Sequence, residues 1–259
     1  MKFTLLTYNV LFYRAFIYLN NILKKYQPDI VCLQEVETTE DNLNSFKDQS
    51  YALADYANCF ISFGKIYGVA TFYNKKRFSL IKSKTIPLGR SLYENFSLLL
   101  QMFKKRGIRR TMLITDFYLK SNKKVITFYN IHLCAISLNN LRLKQLNMIN
   151  FEELNNQNPL IITGDFNFPI ERKKLENIMN KYKLKEATNK LFYTHRYPKN
   201  PKEYQYRLLQ RLFGKITKKF WGDKFKLDYI YYRGLKNLTT QRLDVSLSDH
   251  YPILAEFEL

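Results

Sequence analysis

Long apolar runs are missing from this sequence, and what is missing excludes several classes of protein. No stretch approaches the roughly 18 consecutive apolar residues that a membrane-spanning helix needs. The N-terminal MKFTLLTYNVLFY has one lysine and a short apolar run broken by Thr7 and Asn9, with no small-residue cleavage site after it. That pattern fits a first β-strand and not a signal peptide, so a cytoplasmic protein is expected. Cysteine is scarce: Cys32, Cys59 and Cys134 are odd in number and lack metal-ligand spacing. Reduced, partly buried thiols are expected, neither a disulfide framework nor a zinc cluster. Internal repeats, low-complexity tracts and Gly/Ser-rich linkers are also absent. The 259 residues therefore read as one domain, 1–259, able to bury a large core and expected to be a monomer.

Acidic residues are in deficit. Twenty-two Asp and Glu stand against 42 Lys and Arg, 42 − 22 = +20. The excess is uneven: residues 172–226 hold 17 Lys and Arg against 4 Asp and Glu, or +13. A second cluster, KKRGIRR, spans Lys104 to Arg110. Such an excess concentrates polyanions, nucleic acid or an anionic membrane, near the surface. A biased genome composition would raise lysine everywhere, together with Asn, Ile, Tyr and Phe. It does not explain why the excess collects in one segment.

Apolar runs alternate with helical patterns along the chain. Strands are expected over Phe3–Val10, Ile30–Val36, near 59–63, 67–73 and 78–86, and over Pro159–Thr163, Leu227–Tyr232 and Pro252–Leu259. Arg110–Leu119 and Lys124–Leu133 read as a hairpin around Ser121 and Asn122. Helices are expected over Arg14–Tyr26, Glu40–Asp48, Leu138–Leu154 and Ile170–Tyr182, and 93–103 is ambiguous. Strands apolar on both faces must be covered on both sides. The predicted class is α/β (α+β): a layered sandwich of two sheets packed face to face with helices outside.

The polar residues that interrupt the apolar runs fall at strand ends. Asn9 ends TYN, Gln34 and Glu35 end VCLQE, and His132 is late in FYNIHL. Asp165 and Asn167 follow LIIT, Asp228 opens LDYIYY, and Asp249 and His250 precede the last strand. Taken singly, each has an ordinary structural reading. GDFN is an Asx-type turn, His132 a satisfied core histidine, and Asp249-His250 a loop pair. His195, in YTHRYP, has no carboxylate motif near it and reads as structural. The joint occurrence carries the argument. Carboxylate and amide oxygens without cysteine suit Mg²⁺, with Mn²⁺ as substitute. Such an ion polarises a phosphoryl oxygen. Asp165 is then a candidate base, and His132 and His250 are candidate donors to the developing charge. Asp228 is placed to hold one imidazole in its tautomer.

TYN, LQE, NIHL, GDFN, LDYI and SDHYP, in that order, resemble the endonuclease/exonuclease/phosphatase superfamily, from Thr7 to the C-terminus. The resemblance implies a deoxyribonuclease I-like four-layer sandwich, two mixed β-sheets with helices outside, and a site at one edge. It implies Glu35 as principal metal ligand, with Asn9 and Asp249 completing the metal site. It implies Asp165 as activator of water, Asn167 as its orienter, His132 as a contact to the scissile phosphate, and Asp228 as partner of His250. The implied activity is Mg²⁺-dependent phosphodiester hydrolysis. The basic excess favours nucleic acid, DNA or RNA, as substrate: a nuclease or an end-processing enzyme such as a tyrosyl-DNA phosphodiesterase. A phospholipid or inositol-phosphate phosphoesterase is the alternative, and a non-catalytic nucleic-acid-binding module a more distant one. Around 203–220 a basic amphipathic insertion carries Arg207, Arg211 and Lys215. With Lys104, Lys105 and Arg106 these are candidate substrate contacts. The same segment is open to readings as a solvated helix face and as a contact to an anionic membrane.

Overall fold

The computed structural model describes residues 1–12, 14–45, 50–90, 110–149, 158–198, 215, 218–219, 222–245 and 247–259. Two six-stranded mixed sheets form its centre. The first contains β1 (Lys2–Asn9), β2 (Ile30–Glu37), β3 (Tyr51–Ser62), β4 (Lys65–Asn74), β13 (Lys236–Arg242) and β14 (Ile253–Glu258), in the order β13-β14-β1-β2-β4-β3. The second contains β5 (Phe78–Pro87), β6 (Thr111–Leu119), β7 (Lys124–His132), β8 (Leu160–Asp165), β9 (Lys185–Glu186) and β12 (Asp228–Arg233), in the order β5-β6-β7-β8-β12-β9. A short ribbon pairs β10 (His195–Arg196) with β11 (Lys224–Phe225). Four α-helices are described: α1 (Leu19–Tyr26), α2 (Glu40–Asn44), α3 (Asn139–Asn147) and α4 (Arg172–Lys181). Among the described residues, no helix is long and apolar enough to cross a membrane.

The period-2 alternation of a strand sorts its side chains into layers. In β1, Phe3 and Leu5 join the core between the sheets, while Leu6 and Tyr8 pack with Leu19, Ile22 and Leu23 of α1. In β7 and β8, Ile126, Phe128 and Ile161 face the other sheet, while Tyr129, Ile131 and Ile162 pack with Leu146 of α3 and Leu175 and Met179 of α4. These are the successive interfaces of a helix–sheet–sheet–helix sandwich, as the sequence pattern required. Each fully buried Phe or Leu in these rows contributes about 1.5–3 kcal/mol of hydrophobic stabilisation.

The inward rows turn polar toward one end. Gln34 Nε2 donates to Asn130 Oδ1 across the sandwich at 2.8 Å, and Asn130 Nδ2 donates to Ala70 O at 3.0 Å. In this bonded layer the inner face changes from Phe and Ile to Asn9, His132, Asp165 and Asp228, and of its two amides only Gln34 Oε1 lacks a hydrogen-bond partner among the described residues. The three cysteines are free and buried. Burial pushes the Cys32 thiol up to about 12, so it is an unreactive core group.

Several elements differ from the expected ones. The helix expected over Arg14–Tyr26 is a 3-10 turn, Phe16–Tyr18, followed by α1. The helix expected from Ile170 starts at Arg172, after Glu171 in left-handed conformation. Strands β3 and β4 are longer than 59–63 and 67–73. Strand β13, with its polar KNLTTQR, lacks the apolar alternation that marks a strand, because it lies at a sheet edge. The expected 93–103 segment, residues 46–48 of the second helix, 150–154 of the third, and 203–220 apart from Lys215, Lys218 and Lys219 lie outside the described residues.

Gly164, just before Asp165, has φ +133, and a Cβ there would stand 2.1 Å from Ile131 O. Gly64, in the β3–β4 turn, has φ +75 and open space around it. Gly164→Ala is expected to cost about 3 kcal/mol or more, because backbone must move. Gly64→Ala is expected to cost about 1 kcal/mol, the left-handed penalty alone. Denaturant unfolding of both variants checks the contrast.

Candidate active site

The site lies between the sheets, at the end where parallel strands β1, β2, β7 and β8 finish. Register brings the motifs together. Asn9 pairs with Gln34 across β1–β2, His132 with Asp165 across β7–β8, and Asp165 with Asp228 across β8–β12. Asn9, His132, Asp165 and Asp228 all continue the inward-facing rows of their strands. Glu35 does not. Ile30, Cys32 and Gln34 alternate inward, so Glu35 would face the helix layer. A register shift between Gln34 and Val36, with Glu35 at φ +58, turns its side chain to the inner side and returns Val36 to the helix-facing core.

Asn9 joins the two sheets at this point. Its Nδ2 donates to Glu35 Oε1 at 3.3 Å and to Asp165 Oδ2 at 3.0 Å. Its Oδ1 accepts from Leu11 N at 3.0 Å, so the amide nitrogen, not the oxygen, faces the carboxylates. Asp165 Oδ1 accepts from Asn167 N at 2.8 Å, and Asn167 sits at φ +50. The Asx-type turn is therefore present, and it fixes the carboxylate. Asn167 Nδ2 donates to Leu133 O at 3.1 Å.

Two histidines flank the carboxylates. His132 Nε2 stands 3.6 Å from Asp165 Oδ2 and 3.7 Å from Glu35 Oε1. His250 Nδ1 is 2.8 Å from Asp228 Oδ2, and its Nε2 is 3.7 Å from Asp165 Oδ2. Their protonation states differ. Burial, then the charges of Arg110 and His250, hold the His132 pKa well below the ordinary value, so it is neutral. Burial also works against the His250 imidazolium, but Asp228 and Asp165 outweigh it and hold its pKa well above the ordinary value. The loop after His132 is braced by the polar face of α3. Arg142 Nε donates to Cys134 O at 2.8 Å, and Gln145 Oε1 accepts from Cys134 N at 3.1 Å.

The carboxylates crowd one another. Burial, then Asp249 and Asp165, push Glu35 up to about 7. Burial, then Asp228, push Asp165 up to about 6, against the opposing pull of His250. Glu35 Oε2 is buried and accepts no hydrogen bond among the described residues. An orphaned carboxylate oxygen beside other buried carboxylates fits a hard divalent cation, which neutralises the repulsion and takes oxygen ligands.

Two side chains outside the expected set also belong to this neighbourhood. Thr194 Oγ1 is 2.7 Å from Asp228 Oδ2 and accepts from Leu227 N and Asp228 N at 3.0 Å each. His195 Nε2 is 3.4 Å from Asp249 Oδ2. His195 has no carboxylate motif near it in the sequence, but Asp249, distant in the chain, is adjacent in space. No local spacing carries that signal. Of the expected substrate contacts, Lys104, Lys105, Arg106, Arg207 and Arg211 lie outside the described residues, and Lys215 is exposed.

Comparison with known proteins agrees with this architecture. The chain is 26% identical over 244 residues to a UPF0294 protein of Erwinia tasmaniensis, covering 92% of this chain and 75% of that protein. Among solved structures, it superposes on the human Nocturnin catalytic domain with TM-score 0.70 and 19% identity, over 99% of this chain and 94% of that one. It superposes on ANGEL2, a 2′,3′-cyclic phosphatase in complex with adenosine-2′,3′-vanadate, with TM-score 0.72 and 17% identity, over 100% of this chain and 96% of that one. A mannosyl-6-phosphatase of Bacteroides thetaiotaomicron gives TM-score 0.68 and 17% identity, over 99% of this chain and 100% of that one. The Endonuclease/Exonuclease/phosphatase family model matches residues 6–250, a span that takes in every strand end of the carboxylate cluster. With the two-sheet sandwich and its paired strand ends in view, that match makes this chain a member of the Endonuclease/Exonuclease/phosphatase family.

Proposed function

We propose that this protein is a divalent-metal-dependent phosphodiesterase acting on nucleic acid. The observation that carries the reading is the convergence of Glu35, Asp165 and His250 in one buried cluster. Asp165 Oδ2 lies 3.7 Å from His250 Nε2, and both Asp165 and Glu35 bond the same Asn9 amide. Glu35 and Asp249 would hold the cation. Asn9 supports that site by fixing the Glu35 carboxylate through its N–H. When bound, Mg²⁺ supplies positive charge to a phosphoryl oxygen. Mn²⁺ is the natural substitute for such an oxygen set.

The protein's own groups account for the remaining chemistry. Asp165 takes the proton of the attacking water, and its raised pKa brings its basicity closer to neutral pH. Asn167 closes the turn that holds Asp165 and stands beside it to orient that water. The His250 imidazolium and the neutral His132 donate to phosphoryl oxygens, whose charge grows in the transition state. Asp228 keeps the His250 proton in place. Nucleic acid is favoured by the net charge of +20, which draws a polyanion toward the site. The ANGEL2 structure, of the same fold, holds an adenosine-2′,3′-vanadate. Lys104, Lys105, Arg106, Arg207, Arg211 and Lys215 are proposed backbone contacts on the strength of that charge alone.

A panel of labelled single- and double-stranded oligonucleotides, including 5′-tyrosyl and abasic ends, tests the substrate class against anionic phospholipid vesicles. Cleavage of oligonucleotides with Mg²⁺ or Mn²⁺, abolished by EDTA, is expected. Intact oligonucleotides together with headgroup release from the vesicles would move the protein to the phospholipid class. On the cleaved substrate, Asp165→Asn is expected to lower kcat about 10²–10⁴-fold. His250→Ala is expected to lower it about 10²–10³-fold. Wild-type rates in either variant contradict the assigned roles. In chelator, Glu35→Gln is expected to melt above the wild type, because it removes a buried like charge. Mn²⁺ at about 100 times its Kd should stabilise the wild type by about 2.7 kcal/mol and the variant much less. Thermal melts with and without Mn²⁺ read both effects.

A further inference from the structure

His195 stands outside the six motifs, yet the fold sets it against one of them. Residues 194–196 are zipped to 249–251 by the main chain: Tyr251 N donates to Thr194 O and Arg196 N to Asp249 O, both at 2.8 Å. His195 and His250 form the bridge pair between these bonds, and on its other side His195 pairs with Phe225 of β11. The backbone alone therefore places the ring. It is 8% exposed, and it meets the His250 ring edge-on with centroids 4.8 Å apart. Its Nε2 faces Asp249 Oδ2 at 3.4 Å, and its buried Nδ1 makes no hydrogen bond among the described residues.

That geometry selects a tautomer. A neutral imidazole carries one proton. On Nε2 it stands beside a carboxylate oxygen 3.4 Å away. On Nδ1 it would be a buried unpaired donor, costing about 1–3 kcal/mol. Ser248 Oγ lies 2.8 Å from Asn9 O and 3.1 Å from Asp249 Oδ1, with one proton to serve both acceptors, and it meets the other carboxylate oxygen, not the Oδ2 that faces His195.

We propose that His195 is a positioning residue of the phosphoesterase site: its Nε2–H holds the Asp249 carboxylate in the orientation that the cation pocket beside Glu35 requires. The inference rests on the function proposed above. Asp249 is the second carboxylate that the proposed function gives to the cation, and its Oδ2 is the carboxylate oxygen beside His195 Nε2. Thr194 holds Asp228 in the same way. One three-residue strap, Thr194 to Arg196, thus secures both carboxylates that flank His250. Groups that fix a metal ligand in this manner are worth about 10–100-fold in metal affinity or activity.

Two variants of the full chain separate positioning from packing. His195→Phe keeps a ring of similar size against His250 and removes the donor. His195→Gln loses the ring and offers an amide N–H near the Nε2 position. Mn²⁺ binding is read by electron paramagnetic resonance without substrate, and kcat and KM are read on a labelled oligonucleotide with Mg²⁺. His195→Phe is expected to weaken Mn²⁺ binding about 10–100-fold and to lower kcat with little change in KM or melting temperature, while His195→Gln recovers Mn²⁺ affinity to within about threefold of wild type. Wild-type Mn²⁺ affinity in His195→Phe overturns the proposal. So does an equal loss in His195→Gln, which would make the ring, not the donor, the active feature. Should His195→Phe not fold, His195→Leu, which also removes the donor, takes its place against His195→Gln with the same expected loss and the same overturning result. A wild-type chain that neither binds Mn²⁺ nor cleaves any phosphodiester sinks the functional reading instead, so the two failures are distinct.

Discussion

One amide holds this site together. Asn9 belongs to the first sheet, and its Nδ2 is shared between Glu35 of that sheet and Asp165 of the second. Buried carboxylates repel, and a sandwich that ends in several of them needs donors on both sides of the seam. Asn9 Nδ2, Asn167 N and Thr194 Oγ1 are such donors, each delivered by a strand end or by the turn beside it. Those carboxylate oxygens are fixed before any ligand arrives, which is the condition for electrostatic preorganisation.

The two inner histidines show how placement sets chemistry. Both are buried, and burial alone would discharge both. His250 keeps its proton because Asp228 accepts at Nδ1 and Asp165 faces Nε2. His132 faces Glu35 and Asp165 at longer range and has Arg110 bonded to its own carbonyl at 3.2 Å, so desolvation wins. A cationic and a neutral imidazole thus stand beside the same carboxylate oxygen, Asp165 Oδ2. The uncompensated excess on the carboxylate side, Glu35 above all, is the complement of a divalent ion.

Much of the fold is legible in the chain. Alternation in FTLLTYN, IVCLQ, VITFYNIH and LIIT specifies strands covered on both faces, and these are β1, β2, β7 and β8. The elements that escaped have physical reasons. Strand β13 is an edge with little to bury. Ribbon strands β10 and β11 are two residues each, too short to show a period. Helix α3 did not escape: it lies within the helix expected over Leu138–Leu154, and its inner face also carries Arg142 and Gln145, which serve the loop carbonyl and amide of Cys134.

The site divides along the same line. Asn9, His132, Asp165, Asp228 and the Asp249-His250 pair stand where apolar strands stop, and a strand end is a local property that composition and period reveal. By itself, then, the sequence determined which residues are strand-end polar groups and that they are many and acidic. Only the tertiary structure decided the rest. The bulge at Glu35 reverses the face that alternation assigns it, because one extra residue shifts the phase of every side chain after it. His195 and Thr194 reach Asp249 and Asp228 because backbone bonds zip their segment to the residues before β14. The protonation of His250 follows from carboxylates 22 and 85 residues away in the chain, at 2.8 Å and 3.7 Å in space. Charge interactions depend on distance and dielectric, and neither exists until the sheets have closed over the site.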